Sequence, residues 1–213
     1  MAYVEKIKLD IPDEEILKDL EKYCLLAKDL GANDAKYIQT SHIPVDDRVV
    51  LKCTIPICFG YGVCANCPPH SIKPEETRKY VAQYKWAITF KCEVPPEVIV
   101  RNKETVKERV GAYQKIFEIV NKIESTAFYD GYYLAVGFGA GSCKSTYCWK
   151  DDCAVLMGQK CRFTLKARPS MEAVGIDCYR LAAKLTWDIY PIGSDARPES
   201  IPHGTLMGLI LIT

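Results

Sequence analysis

Apolar residues recur at helical spacing over 13–30, where Ile16, Leu17, Leu20, Cys24, Ala27 and Leu30 fall on one face. Asp13, Glu14 and Glu15 suit the positive end of that helix, and Gly31 supplies a stop. Segments 35–40 and 48–52 read as strands, with Pro44, Asp46 and Asp47 turning the chain between them. Pro74, Glu75 and Glu76 open a helix to about Tyr84. Trp86, Ile88, Phe90, Cys92 and Val94 then alternate with other residues, the period of a strand, which Pro95-Pro96 ends. Asn102 is the expected N-cap of a long helix to about Ala127. Its stripe is Val106, Val110, Tyr113, Phe117 and Val120, widened by Ile116, Ile119 and Ile123. Segment 132–138 is apolar on both faces and predicts a central strand. Ser170 is the expected cap of a further helix that buries Met171, Val174, Cys178, Leu181 and Leu185. Residues 188–205 read as loop and 206–212 as a short apolar strand.

This order of elements predicts an α+β fold, one domain over 1–213, with a mixed β-sheet and helices packed against it. Two irregular cysteine-rich loops, 53–70 and 141–163, interrupt the pattern. The sequence shows no internal repeat, low-complexity tract or linker. An apolar content of 48% supports a real core. The 28 basic and 27 acidic residues leave a net charge of +1, which gives no drive towards nucleic acid or membrane. No apolar run reaches the roughly 18 residues that a membrane span needs. The N-terminal residues carry no apolar signal core, so a cytoplasmic location is expected.

That location bears on the eleven cysteines. In a reducing compartment, clustered cysteines read as metal ligands or catalytic groups rather than as disulfides. Cys24, Cys92 and Cys178 fall on apolar faces and are expected to be core residues. Eight remain: Cys53, Cys58, Cys64 and Cys67 in the first loop, and Cys143, Cys148, Cys153 and Cys161 in the second. Two sets of four is the count that two tetrahedral thiolate sites require. Only Cys64 and Cys67 form the short hook typical of zinc. The ending Cys67-Pro68-Pro69 matches the terminal Cys-Pro of ferredoxin runs, where that cysteine ligates the neighbouring cluster. Exchange of ligands between the two stretches is therefore open. Two [4Fe–4S] clusters are the leading reading, two Zn2+ ions the alternative and disulfides the third.

The surroundings of the cysteines admit two readings. Gly60, Gly62 and Gly141 let backbone N–H groups approach sulfur. Lys52, Lys144, Lys150, Lys160, Arg162, Lys166 and Arg168 either offset an anionic cluster or form a solvated basic face. Phe59, Tyr61, Tyr147, Trp149 and Phe163 either shield a cluster or fill core. Lys166, Arg168, Ser170 and Glu172 gather at the expected helix start and form a candidate anion or substrate site, with an ordinary capped helix as the plainer account. His42, His70 and His203 read as loop histidines. Gly137-Phe138-Gly139-Ala140-Gly141 leads into cysteines rather than a helix, so it is no nucleotide fingerprint. Neither a Walker A sequence nor a nucleophile elbow is present.

The run C-x4-C-x5-C-x2-C-P-P, the distal four cysteines and C-R-F-x-x-K-A-R-P-S-M-E-A-V-G-I-D together resemble a family of cysteine-rich predicted metal-binding proteins of anaerobic bacteria and archaea. The resemblance runs roughly from the first helix to Asp177. It implies that the eight loop cysteines are the metal ligands, and it supplies no reaction. The residues support an electron carrier or redox subunit docking a partner protein. The rivals are an iron–sulfur enzyme acting on a small anionic or sulfur-containing substrate through an exposed iron, and a zinc-bound structural scaffold.

Overall fold

The computed structural model describes residues 6–7, 10–100, 104–193 and 195–213. Helix α1, Asp13–Asp29, has three acidic residues in its first turn and buries Ile16, Leu20, Tyr23 and Ala27. Gly31, at φ +96°, turns the chain into β1, Asp34–Gln39. A short helix α2 spans Asp47–Leu51 and α3 spans Pro74–Val81. Strand β2, Trp86–Val94, follows, then the single turn α4, Pro96–Ile99, and the long helix α5, Val106–Tyr129. The chain continues through β3, Val136–Phe138, and α6, Cys143–Tyr147. It closes with α7, Cys178–Lys184, and β4, Gly204–Leu211.

The α+β class holds, and the sheet order is β1-β2-β4-β3. Every named pairing is antiparallel, where a mixed sheet was expected. The reason lies in the last strand. The β2–α5–β3 crossover leaves β2 and β3 running in the same direction, and β4 inserts between them, opposed to both. Ile88 pairs with Ile210 and Thr89 with Leu209 across that seam.

Alternation along β2 and β4 divides the core. Ile88, Phe90, Leu206 and Ile210 face α1 and α5, where Leu20, Tyr23, Ile116 and Val120 meet them. Ala87, Met207, Leu209 and Leu211 face the opposite layer, built from Met171, Val174, Ile176, Leu181 and Trp187. Burial on both faces explains the unbroken apolar run of β4.

Four expectations need correction. Segment 48–52 is helical, because the Asp46 carboxylate accepts from the Arg48 N–H at 2.9 Å and caps α2. Segment 132–138 is not a central strand. Its first residues reverse the chain, with Tyr132 N–H bonded to Ala127 O and Ala135 N–H to Tyr132 O, and only 136–138 pair, at the sheet edge. The helix expected from Ser170 is broken at Gly175, whose φ of +88° ends a single 3-10 turn, Glu172–Val174. Helix α7 starts anew under an Asp177 cap that receives the Arg180 N–H. The proposed cap Asn102 lies outside the described residues, and Val106 is exposed rather than part of the buried stripe.

The junction of β3, α5 and segment 170–177 positions the cysteine loops. Gly139 N–H bonds Pro169 O, and Met171 N–H bonds Gly139 O. A Cβ at Gly139 would sit 2.6 Å from the Phe117 ring, so glycine lets the backbone lie directly on α5. The bridge of Val45 to Ile176, and Ser71 Oγ donating to Ala173 O at 2.8 Å, tie both ends of the first loop to the same segment.

Candidate metal centre

The first cysteine loop grows out of α2. Cys53 N–H bonds Val50 O, closing the last turn, and Cys58 N–H bonds back to Cys53 O at 2.9 Å. Gly62, at φ +75°, sends its N–H to Pro68 O and folds the loop on itself. Cys67 N–H bonds Cys64 O, and both His70 and Ser71 N–H groups bond Cys67 O. The second loop starts at Gly141, whose φ is +67° and whose added Cβ would meet the Tyr113 ring at 2.7 Å. Ser142 caps α6 by accepting from Lys144 N–H. Cys143 is thereby fixed in the first turn and buried against α5, while Cys148 follows the last turn. Cys153 precedes a 3-10 turn, Ala154–Met157, and Cys161 opens the return towards Arg168.

The eight loop cysteines do not divide as the sequence does. Cys53, Cys58 and Cys67 line one cavity of about 420 Å3. Cys64 instead lines a second cavity, of about 220 Å3, with Cys143, Cys148, Cys153 and Cys161. Its sulfur lies 3.4 Å from that of Cys143. Cys64 is thus the first-stretch cysteine that lines the second cavity, and Cys67 Sγ also reaches the second stretch, 3.4 Å from Ser142 Oγ. Cys64, Cys67 and Cys143 are all buried and pack against Phe117. Among the described residues, no three Cys, His, Asp or Glu side chains converge as a single ion would require.

Hydrogen-bond donors are directed at the sulfurs. Gly60 N–H points to Cys58 Sγ at 3.5 Å and Phe163 N–H to Cys161 Sγ at 3.4 Å. Asn66 Nδ2 stands 3.5 Å from Cys143 Sγ, and Ser142 Oγ lies 3.4 Å from Cys67 Sγ. A Cβ on Gly60 would press on Cys67 Sγ at 3.3 Å. The Tyr147 hydroxyl is buried with no partner among the described residues, and its side chain lines the five-cysteine cavity. A buried donor without a partner, set among sulfurs, fits an anionic occupant.

Electrostatics separate the three central sulfurs. Donation from Cys143, then from Cys67, lowers the Cys64 thiol, and the same bonds raise Cys143 and Cys67. Burial raises Cys53 and Cys148. Basic side chains near the second loop engage backbone oxygens: Lys144 Nζ reaches Cys148 O at 2.9 Å and Arg162 reaches Asp152 O at 2.8 Å. Lys150 lies 4.8 Å from the centre of the Trp149 ring.

The candidate anion site is not assembled. Arg168 is turned inward and holds Glu124 through two nitrogens, at 2.5 and 2.9 Å, so its charge is already matched. Lys166 is exposed, and its carbonyl receives Asn121 Nδ2. Ser170 is buried and accepts from Ala173 N–H. Glu172 separates from the group and faces the three-cysteine cavity. Of the three cysteines expected in the core, Cys92 is buried on β2 and Cys24 is half-buried on α1. Cys178 is buried in the second core layer, and it also reaches the cavity wall beside Glu172. Three residues at the site carried only weak signals in the sequence. Ser142 directly precedes a cysteine, Asn66 sits inside the Cys64–Cys67 hook, and Glu124 lies on α5 far from both loops.

One family model, described as predicted metal-binding protein (DUF2284), matches residues 36–212. No curated protein and no solved structure matches the chain.

Proposed function

The chain belongs to the predicted metal-binding protein family DUF2284, and from that premise we propose that it carries two [4Fe–4S] clusters and serves electron transfer. Cys53, Cys58 and Cys67 hold the first, and four of Cys64, Cys143, Cys148, Cys153 and Cys161 hold the second. The observation that carries this reading is the division of the eight sulfurs between two cavities, Cys53, Cys58 and Cys67 at one and Cys64, Cys143, Cys148, Cys153 and Cys161 at the other. The N–H and O–H groups aimed at Cys58, Cys67, Cys143 and Cys161 provide the bonds that tune the potential of a thiolate-bound cluster.

Proximity of the centres supports electron transfer. Cys64 and Cys67 belong to one hook, and Cys64 Sγ lies 3.4 Å from Cys143 Sγ. Ile55, Ile57, Phe59 and Trp149 stand exposed on the two loops, and Leu165 just beyond the second. An apolar rim around a redox site suits a docking protein, and the exposed Lys52, Lys150 and Lys160 favour an acidic one. Anaerobic purification, followed by iron and sulfide analysis and EPR of the reduced protein, tests the proposal. Two interacting cluster signals are expected, and a colourless protein that binds zinc overturns it.

A further inference from the structure

We propose that Cys64 and Cys143 form a reversible disulfide when the metal-free chain meets hydrogen peroxide, and that this bond is a redox switch on the second cysteine cavity. The inference goes beyond the cluster reading, because the bond forms whichever metal these thiolates otherwise hold.

The two sulfurs already stand 3.4 Å apart, and both residues are buried. A disulfide holds its sulfurs at about 2.0 Å, so an approach of about 1.4 Å completes it. Cys143 is fixed in the first turn of α6 and packs on Phe117. Cys64 supplies the movement. It follows Gly62, where an added Cβ would meet nothing within 4 Å, and the exposed Val63. Both sulfurs line the cavity of about 220 Å3. A peroxide is little larger than a water, whose share of liquid volume is about 30 Å3, so it fits beside them. Cys67 is the rival partner, because it too interacts with Cys64. Its sulfur, however, lines the other cavity and lies 3.4 Å from Ser142 Oγ.

The chemistry closes without another reagent. One sulfur attacks an oxygen of the peroxide and breaks the O–O bond. One oxygen leaves as water, and the other stays on sulfur as a sulfenic acid. The second thiol displaces that oxygen, forms the S–S bond and releases a second water. The two thiols lose two electrons and two protons, and the peroxide takes up both. The product ties the first loop to α6 across 79 positions. It also withdraws two of the five thiols that line the second cavity. Three remain, one short of the four that a closed tetrahedral thiolate site takes. Metal and oxidant therefore compete for the same two sulfurs.

The sequence suits a tryptic map. Cys53, Cys58, Cys64 and Cys67 share the peptide 53–78, Cys143 lies alone in 123–144, and Cys148, Cys153 and Cys161 fall in three further peptides. The full chain is stripped of metal by a chelator, reduced, freed of reductant and given one equivalent of hydrogen peroxide. Free thiols are then blocked with N-ethylmaleimide, and the unreduced digest is read by mass spectrometry. The thiol count is expected to fall by two from the eleven of the chain. Peptide 53–78 joined to 123–144 is the expected main link, lost in Cys64→Ser and kept in Cys67→Ser. In urea the links should shift to pairs inside 53–78, because short loops close more readily. Zn2+, used as a probe of free donors against a chromophoric chelator, should be held by the oxidised chain at about one ion fewer, and a phosphine reductant should restore it. A main link inside 53–78 in the native wild-type chain, or one to Cys148, Cys153 or Cys161, overturns the inference without recourse to any variant. So does the same main link in urea, which would remove the native geometry as its cause. Unchanged Zn2+ binding by a chain that carries the bond overturns the switch.

Discussion

The sulfur of Cys64 lies 3.4 Å from that of Cys143, although 79 positions separate the two residues along the chain. Its neighbour in the same hook, Cys67, faces the other cavity with Cys53 and Cys58. Two cysteines three positions apart thus line different cavities. Cys64→Ser is expected to alter the EPR signal of the centre held by the second stretch, and Cys67→Ser that of the other. Both variants perturbing one and the same signal would contradict this assignment.

Gly141→Ala is expected to destabilise the fold by about 2–4 kcal/mol in urea unfolding, through left-handed strain and overpacking together. The position has φ +67°, and a Cβ there would press into the Tyr113 ring at 2.7 Å. Gly158→Ala is the internal control, because Gly158 shares the positive φ but meets nothing within 4 Å. Strain alone predicts a loss of about 1–2 kcal/mol there. Equal losses at the two sites would contradict the packing argument.

Arg168 and Glu124 form a largely buried ion pair, with 19% and 17% of their side chains exposed. Glu124 Oε2 also accepts the Gly137 N–H at 2.6 Å, so the pair fastens β3 to α5. Arg168→Ala is expected to cost about 2–4 kcal/mol of stability, because it strands a buried carboxylate. A double-mutant cycle with Glu124→Gln should show strong coupling. Retention of wild-type stability in Arg168→Ala would show that the arginine is not structural.

Burial pushes the Cys24 thiol up to about 12 from an ordinary value of 9.0. Alkylation requires the thiolate, so the raised value slows the reaction at neutral pH. After allowance for the greater nucleophilicity of a more basic sulfur, Cys24 should react with iodoacetamide roughly 50-fold more slowly at pH 8 than an exposed cysteine. The rate should climb about tenfold per pH unit to near pH 11, whereas an ordinary thiol levels off above about pH 9. Peptide mapping by mass spectrometry reads both rates. A plateau at pH 9 for Cys24 would contradict the burial.

Strong local patterns were legible in the sequence. Helix α1 and strand β2 follow from apolar spacing, acidic first-turn residues and a proline stop. The errors fell where distant residues decide the outcome. The stretch 48–52 has too few residues for periodicity to speak, and the Asp46 cap settles it as helix. Residues 132–138 look central because they are apolar, yet the edge position depends on where β4 inserts. The same limit applies at the candidate site. Eight loop cysteines stand out by composition, and Cys24 and Cys92 by periodicity. Only the fold brings Cys64 to Cys143, pairs Arg168 with Glu124, or turns Glu172 towards Cys178. Each of those contacts joins segments whose spacing along the chain carries no record of their meeting.

The most direct test of two clusters on one chain is Mössbauer spectroscopy of 57Fe-enriched protein prepared without oxygen, with sulfide determined on the same sample. Two [4Fe–4S] clusters predict about eight iron and eight sulfide per chain. Stoichiometric zinc without sulfide, or iron sufficient for one cluster only, would contradict the account.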